Sequence, residues 1–443
     1  GKDIHMRTGA LIVDLGGNDT YHFRGMVEPP GLVPVSVIVD LEGNDVHGSK
    51  GDRAVQGFGN LSVGLLVDRQ GDDRYEAGDM AQGCGLYGVG ILADYEGNDH
   101  YEMGVMGQGF GLFGIGVLLD RRGSDRYTVS GLGQGAGTTM AAGILCDAGG
   151  SDKYLADQNR MRGQLPPDDW SHVQGAGLSV RSPDWGRQAS LYGGVGFLSD
   201  GGGDDFYFSS HENCMGASYF LSIGALVDHG GSDWYIPEKG LGIGFAIHLG
   251  SAAFVDYRGD DRYFGNLLSG GAASDRSIAI MVDYSGDDVY GPTHEYTHAL
   301  VVAEAKKNKQ QLTTDEAAQR TRRRLAQNAY ASARKPKAFG MLIDYGGNDR
   351  YTSNPDEFGQ SFGGLIPPAV PQDWSHAVLF DLGGQDTYSH PGRKNNRFFK
   401  SMGHGLCYDT ETEMSVFGKQ IVPTDGEKVV PPNMDILRTG QAV

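Results

Sequence analysis

Short apolar runs recur along the chain, and each ends in an aspartate. Gly64–Val67 precedes Asp68, Gly90–Ala93 precedes Asp94, Gly116–Leu119 precedes Asp120, and Gly143–Cys146 precedes Asp147. Each run is too short for a helix and is bounded by turn residues, which predicts a buried strand. A small residue holds the same place in nearly every run. The interior behind these strands is therefore expected to be narrow.

The polar positions between the runs repeat as well. Asp-x-x-Gly-x-Asp-x-Tyr occurs twelve times, with the first Asp at 14, 40, 68, 94, 120, 147, 200, 228, 256, 283, 344 and 381. Eleven copies end in Tyr and one ends in His47. A second landmark, Gln-Gly-x-Gly, stands at Gln56, Gln82, Gln108, Gln134 and Gln174. Most periods are 26 to 28 residues. The 53-residue gap before Asp200 reads as two periods with one turn lacking the motif, and the gaps of 61 and 37 as insertions. A strand cannot bury its apolar face alone, whereas identical stacked coils can, with strands about 4.8 Å apart. The sequence thus predicts an all-β parallel solenoid of about 13–14 coils, right-handed because parallel crossovers favour that hand. A propeller is the runner-up, but its blades need about 40 residues.

Stacking places the second Asp of each coil in one column: Asp19, Asp45, Asp73, Asp99, Asp125, Asp152, Asp205, Asp233, Asp261, Asp288, Asp349 and Asp386. Like charges about 5 Å apart repel by roughly 1–3 kcal/mol per pair at a surface dielectric. Two arrangements offset this. Each Asp can accept backbone N–H bonds in its own turn, or Ca²⁺ can sit between turns. Gly16-Gly17-Asn18-Asp19-Thr20-Tyr21 and Gly346-Gly347-Asn348-Asp349-Arg350-Tyr351 resemble half of the hemolysin-type (RTX) calcium-binding nonapeptide, G-G-x-G-x-D-x-U-x. That resemblance implies a parallel β-roll with Ca²⁺ at its turns in a secreted protein. The Tyr column is expected to be a stacked packing device.

Composition narrows the classes. There are 71 Gly among 443 residues, without the Gly-X-Y period of collagen. Net charge is −19, which speaks against nucleic acid as a partner, since phosphate contacts need cationic surface. The four Cys are too far apart for a disulfide framework or a Cys-type zinc site. No apolar run reaches the roughly 20 residues of a membrane span. Residues 1–5 read as a cloning scar and are set aside. A native signal peptide can have been trimmed ahead of them, so an extracellular, cell-surface or periplasmic location is expected from the resemblance rather than from the N terminus.

Three departures from the repeat carry candidate chemistry. His294-Glu295-Tyr296-Thr297-His298 matches HExxH and resembles zincin-type zinc metallopeptidases. Such a resemblance implies His294 and His298 as Zn²⁺ ligands and Glu295 as the catalytic base. A third ligand is not evident. Glu316, at the start of a second helix, would lie roughly 20 Å or more away along the first. Thr313 and Glu316 form a capping-box pattern. Residues 291–340 are accordingly expected to be a helical hairpin, and 301–340 are basic, with ten Lys or Arg against three acids. This hairpin either packs on the acidic shaft or docks an acidic partner. Finally, Asp169-Trp170-Ser171-His172 is echoed by Asp373-Trp374-Ser375-His376, a candidate polysaccharide-binding or polysaccharide-cleaving pair of loops.

The expected organisation is solenoid coils over 6–290 with a Trp-bearing loop near 156–173, the hairpin at 291–340, terminal coils at 341–408 with a loop at 365–376, and a cap or tail at 409–443. The leading function is a secreted or surface structural and binding module stabilised by Ca²⁺, with protein or polysaccharide partners. A zinc hydrolase and a polysaccharide-active β-helix are the alternatives.

Overall fold

A computed structural model describes residues 2–5, 11–22, 35–157, 172–179, 192–238, 241–265, 268–291, 313–314, 316–317, 330–334, 337–351, 361–362, 375–388, 398–400 and 405–409. The chain winds as a parallel β-solenoid. The coils repeat a long strand, the Asp turn and a short strand carrying the repeat Tyr; nine two-residue strands line a third face, and five coils carry the Gln-Gly corner. The long strands form a 14-stranded sheet and the Tyr strands a 13-stranded sheet.

Register follows the repeat without slippage. Gly90 pairs with Gly64 and Gly116, and Leu92 with Leu66 and Leu118. Alternation then faces Gly90, Leu92 and Asp94 inward together. A Cβ on Gly90 would lie 2.0 Å from the Cys84 carbonyl oxygen, so the expected narrow interior is what the structure shows. The inward Leu column and the repeat Tyr rings form one continuous core. Those rings, with His5 and His47 in register, stack with centroids 4.5–5.1 Å apart.

One expectation is corrected. The 53-residue interval before Asp200 holds one coil, not two. Ala141–Cys146 pairs directly with Gly194–Ser199, and Lys153–Ala156 with Phe206–Ser209. On the third face Gly177 bridges Gly137 and pairs with Ser218. A strand has one neighbour on each edge, so these ladders leave no place for an intervening coil. The added length flanks residues 172–179. Residues 1–5, set aside as a cloning scar, also contribute to the fold: Ile4–His5 pairs with Thr20–Tyr21.

Within the expected hairpin, the described residues are few. Thr313 and Glu316 form the reciprocal bonds of a capping box, Thr313 N–H to Glu316 Oε2 at 2.9 Å and Glu316 N–H to Thr313 Oγ1 at 3.2 Å. Ala317 N–H donates to Thr313 O at 3.0 Å, one helical turn. The remainder of 292–329 lies outside the described residues. The chain returns through Tyr330, a fully buried residue whose hydroxyl accepts the N–H of Gly265 at 2.7 Å and donates to Tyr263 O. At the far end, Phe398–Lys400 runs antiparallel to Gly405–Asp409 and is the last strand of the long sheet.

Candidate metal centre

The Asp ladders stand inside the solenoid. All twelve first Asp and eleven of the twelve second Asp are buried; Asp386 alone is half-buried. Their placement follows from the strand. The first Asp lies two residues beyond the inward Leu, so alternation turns it inward as well.

The two ladders differ in how they are satisfied. Eight of the twelve first Asp accept the N–H two residues on, as in Gly202 N–H to Asp200 Oδ1 at 2.7 Å and Gly230 N–H to Asp228 Oδ1 at 2.9 Å, whereas Oδ1 of Asp40, Asp68 and Asp94 is buried without a partner. This is the Asx turn read from the sequence. Its other oxygen accepts the Tyr hydroxyl of the preceding coil, as from Tyr101 to Asp120 at 2.6 Å and from Tyr127 to Asp147 at 2.7 Å. The Tyr column is therefore a donor ladder as well as a packing device, which the sequence alone did not reveal.

A second Asp does not close its own turn. Its Oδ1 accepts the N–H of the second Asp one coil earlier: Asp73 N–H to Asp99 at 2.7 Å, Asp99 to Asp125 at 2.6 Å, Asp152 to Asp205 at 2.6 Å. The Oδ2 atoms of Asp19, Asp45, Asp73, Asp99, Asp125, Asp152, Asp205, Asp233, Asp288 and Asp349 are buried with no hydrogen-bond partner. A buried polar atom without a partner costs about 1–3 kcal/mol, more when charged. Burial drives Asp73 up to about 9, Asp125 to about 10 and Asp205 to about 11, with repulsion from neighbouring Asp next. At neutral pH such a column takes up protons or cations.

The geometry suits a cation. One carboxylate oxygen from each of Asp68, Asp73 and Asp94 lies within 4.8 Å of the others, and so it is for Asp99, Asp120 and Asp125, and for Asp125, Asp147 and Asp152. Carboxylate oxygens gathered this closely are the hard donor type that Ca²⁺ binds, at about 2.3–2.6 Å. Each coil brings two carboxylates, the charge that one divalent ion balances. Each grouping draws on both ladders. The first Asp, left out of the candidate ligands read from the sequence, supplies an oxygen to each of these groupings.

A second column of open acceptors runs along the Gln corners. Gln82 Nε2 donates to Tyr75 O at 2.9 Å, tying the corner to the Tyr strand. The Oε1 atoms of Gln56, Gln82, Gln108, Gln134 and Gln174 are buried without a partner.

The other sequence candidates fall elsewhere. His294, Glu295 and His298 lie outside the described residues, as do Asp169, Trp170, Asp373 and Trp374. The two histidines of the echoed loops are not equivalent. His172 is buried next to Val173, which bridges Gly133 at the Gln-Gly corner, and burial followed by the charge of His211 lowers it to about 3. His376 is exposed and opens a strand of the long sheet against Phe339. The shared Asp-Trp-Ser-His string thus joins the coil at two different places. Cys84, Cys146 and Cys214 are free thiols. Among the described residues no helix is long and apolar enough to cross a membrane. Comparison with family models, with curated proteins and with solved structures yields no match.

Proposed function

We propose that the chain is a structural and binding module, a right-handed rod whose internal carboxylate ladder takes up Ca²⁺. The observation that carries this reading is the column of buried second-Asp Oδ2 atoms without partners. Two carboxylates per coil, all but one of them buried, need a counter-charge, and carboxylate oxygens are hard ligands that suit Ca²⁺. An ion joining consecutive coils binds the folded rod and not the unfolded chain, so it adds stability by mass action. An extracellular, cell-surface or periplasmic setting with abundant Ca²⁺ belongs to this reading. The rod then presents its flanking segments, including basic residues 301–340, to protein or polysaccharide partners.

Elemental analysis and thermal melting of the chelator-stripped chain, with and without millimolar Ca²⁺, test the reading. Several Ca²⁺ retained per chain, with a higher melting temperature, is the expected result. No retained Ca²⁺ and an unchanged melt would assign the ladder to shared protons instead.

A further inference from the structure

The Tyr column is broken once in the buried interior, at His47. This imidazole is fully buried and stacks between Tyr21 and Tyr75 at 4.6 and 4.7 Å. A Tyr at this place gives its hydroxyl proton to the next first Asp. His47 instead brings Nε2 to 3.0 Å from Asp68 Oδ2, with both side chains inaccessible to solvent. Neutral imidazole offers a nitrogen lone pair, which a protonated phenol does not.

Oxygens of both Asp ladders are open around His47. Asp40 Oδ1, Asp45 Oδ2 and Asp68 Oδ1 are all buried and lack a hydrogen-bond partner, and none of the three residues is more than 1% exposed. One donor atom from each of Asp40, Asp45, His47 and Asp68 lies within 4.8 Å of the other three. It is a four-residue donor set of one nitrogen and three oxygens. Adjacent ligands of a tetrahedral Zn²⁺ site, with bonds of about 2.0–2.1 Å, stand about 3.3 Å apart. The observed 3.0 Å between His47 and Asp68 needs only a few tenths of an ångström of widening.

We infer that Asp40, Asp45, His47 and Asp68 form a distinct site for a single divalent transition ion of the zinc class, set into an otherwise oxygen-only column. The inference rests on the cation-ladder reading and narrows it at one coil. Imidazole nitrogen suits Zn²⁺, Co²⁺ or Ni²⁺, whereas Ca²⁺ prefers an all-oxygen shell. Replacing the Tyr of this coil by His therefore changes which metal the column selects there.

The test compares wild type, His47→Tyr and His294→Ala as full chains. Each is stripped of metal, saturated with Ca²⁺, given Zn²⁺, gel-filtered and analysed for both metals. His47→Tyr restores the repeat residue and its stacking, so it is expected to fold; circular dichroism checks this, and Asp45→Asn serves as the second variant. Co²⁺ in place of Zn²⁺ reports the ligand field by its visible absorption. Wild type is expected to hold one more Zn²⁺ than His47→Tyr and to show a four-coordinate Co²⁺ spectrum that His47→Tyr lacks, while His294→Ala matches wild type at this site. Equal Zn²⁺ in wild type and His47→Tyr overturns the inference and leaves His47 as a hydrogen-bond donor to Asp68. The Ca²⁺ count reports separately on the ladder. If Ca²⁺ is absent but one Zn²⁺ is held and lost with His47, the ladder reading fails and the His47 site stands. If Ca²⁺ is held and His47→Tyr changes no Zn²⁺, the ladder stands and the His47 site fails.

Discussion

Tyr101 donates its hydroxyl proton to Asp120 of the following coil at 2.6 Å, across a span of 19 residues. The bond ties one coil to the next by side chains, alongside the backbone ladder. It also satisfies an oxygen that would otherwise be open, as the Oδ2 of nearby Asp125 is. Two carboxyls five residues apart thus have different partners: Asp120 Oδ2 accepts a phenol hydroxyl, while Asp125 Oδ2 accepts no hydrogen bond.

Tyr101→Phe removes only the donor and keeps the ring stack. Asp120 Oδ2 then lies buried without a partner, at a cost of about 1–3 kcal/mol. Chemical denaturation of the metal-free chain should show that loss. Unchanged stability would mean that the phenol contributes stacking alone.

Stability without metal is expected to fall as pH rises. Asp45, Asp73 and Asp125 are raised to about 7, 9 and 10, chiefly by burial, against about 3.9 in the unfolded chain. The folded chain therefore binds more protons than the unfolded chain between these values. Its advantage is full below about pH 4 and is lost as pH climbs through the folded values. Melting of the chelator-stripped chain across about pH 5 to 9 checks the slope, and a melting temperature rising with pH would contradict it. On the proposed reading Ca²⁺ needs the deprotonated ladder, so the stabilisation it adds should grow in the same direction.

Asp99→Asn and Asp99→Ala should part company. Asn keeps an acceptor for the Asp73 N–H, which now meets Asp99 Oδ1 at 2.7 Å, and removes the charge. The metal-free Asn variant is expected to match or exceed wild type at about pH 8, with fewer Ca²⁺ retained. Ala leaves the Asp73 N–H buried and unpaired, a loss of about 1–3 kcal/mol at any pH. Equal effects from both variants would place the role of Asp99 in packing rather than charge.

Gly123→Ala is expected to disrupt the rod, whereas Gly51→Ala is neutral. At Gly123 φ is +154° and a Cβ would lie 1.8 Å from the Gly97 carbonyl oxygen one coil away. Backbone would have to move in two coils at once. At Gly51 nothing lies within 4 Å of the added atom, which predicts a change within about 0.5 kcal/mol. Thermal melts of the two variants give the comparison, and a stable Gly123→Ala chain would show that coil spacing at the Asp turn is soft.

What the sequence alone determined is local and periodic. Apolar runs such as Gly90–Ala93 marked the strands, the Asp-to-Asp spacing marked the coil, and the recurring small residue marked a narrow interior, because each depends on residues close in the chain. The inward position of the first Asp was also legible: Gly64, Leu66 and Asp68 stand two residues apart, and strand alternation puts all three on one face. Its polar character suggests a surface turn instead. What only the tertiary structure decided depends on neighbours one coil away. Asp152 reaches Asp205 across 53 residues, and that contact, not the residue count, shows the interval to be one coil. Likewise, Tyr101 finds its acceptor in another coil, Asp99 keeps one oxygen open, and His47 is brought among Asp40, Asp45 and Asp68. Linear spacing names the residues in each ladder. Stacking decides which atoms meet, and burial decides what leaving an atom unpaired costs.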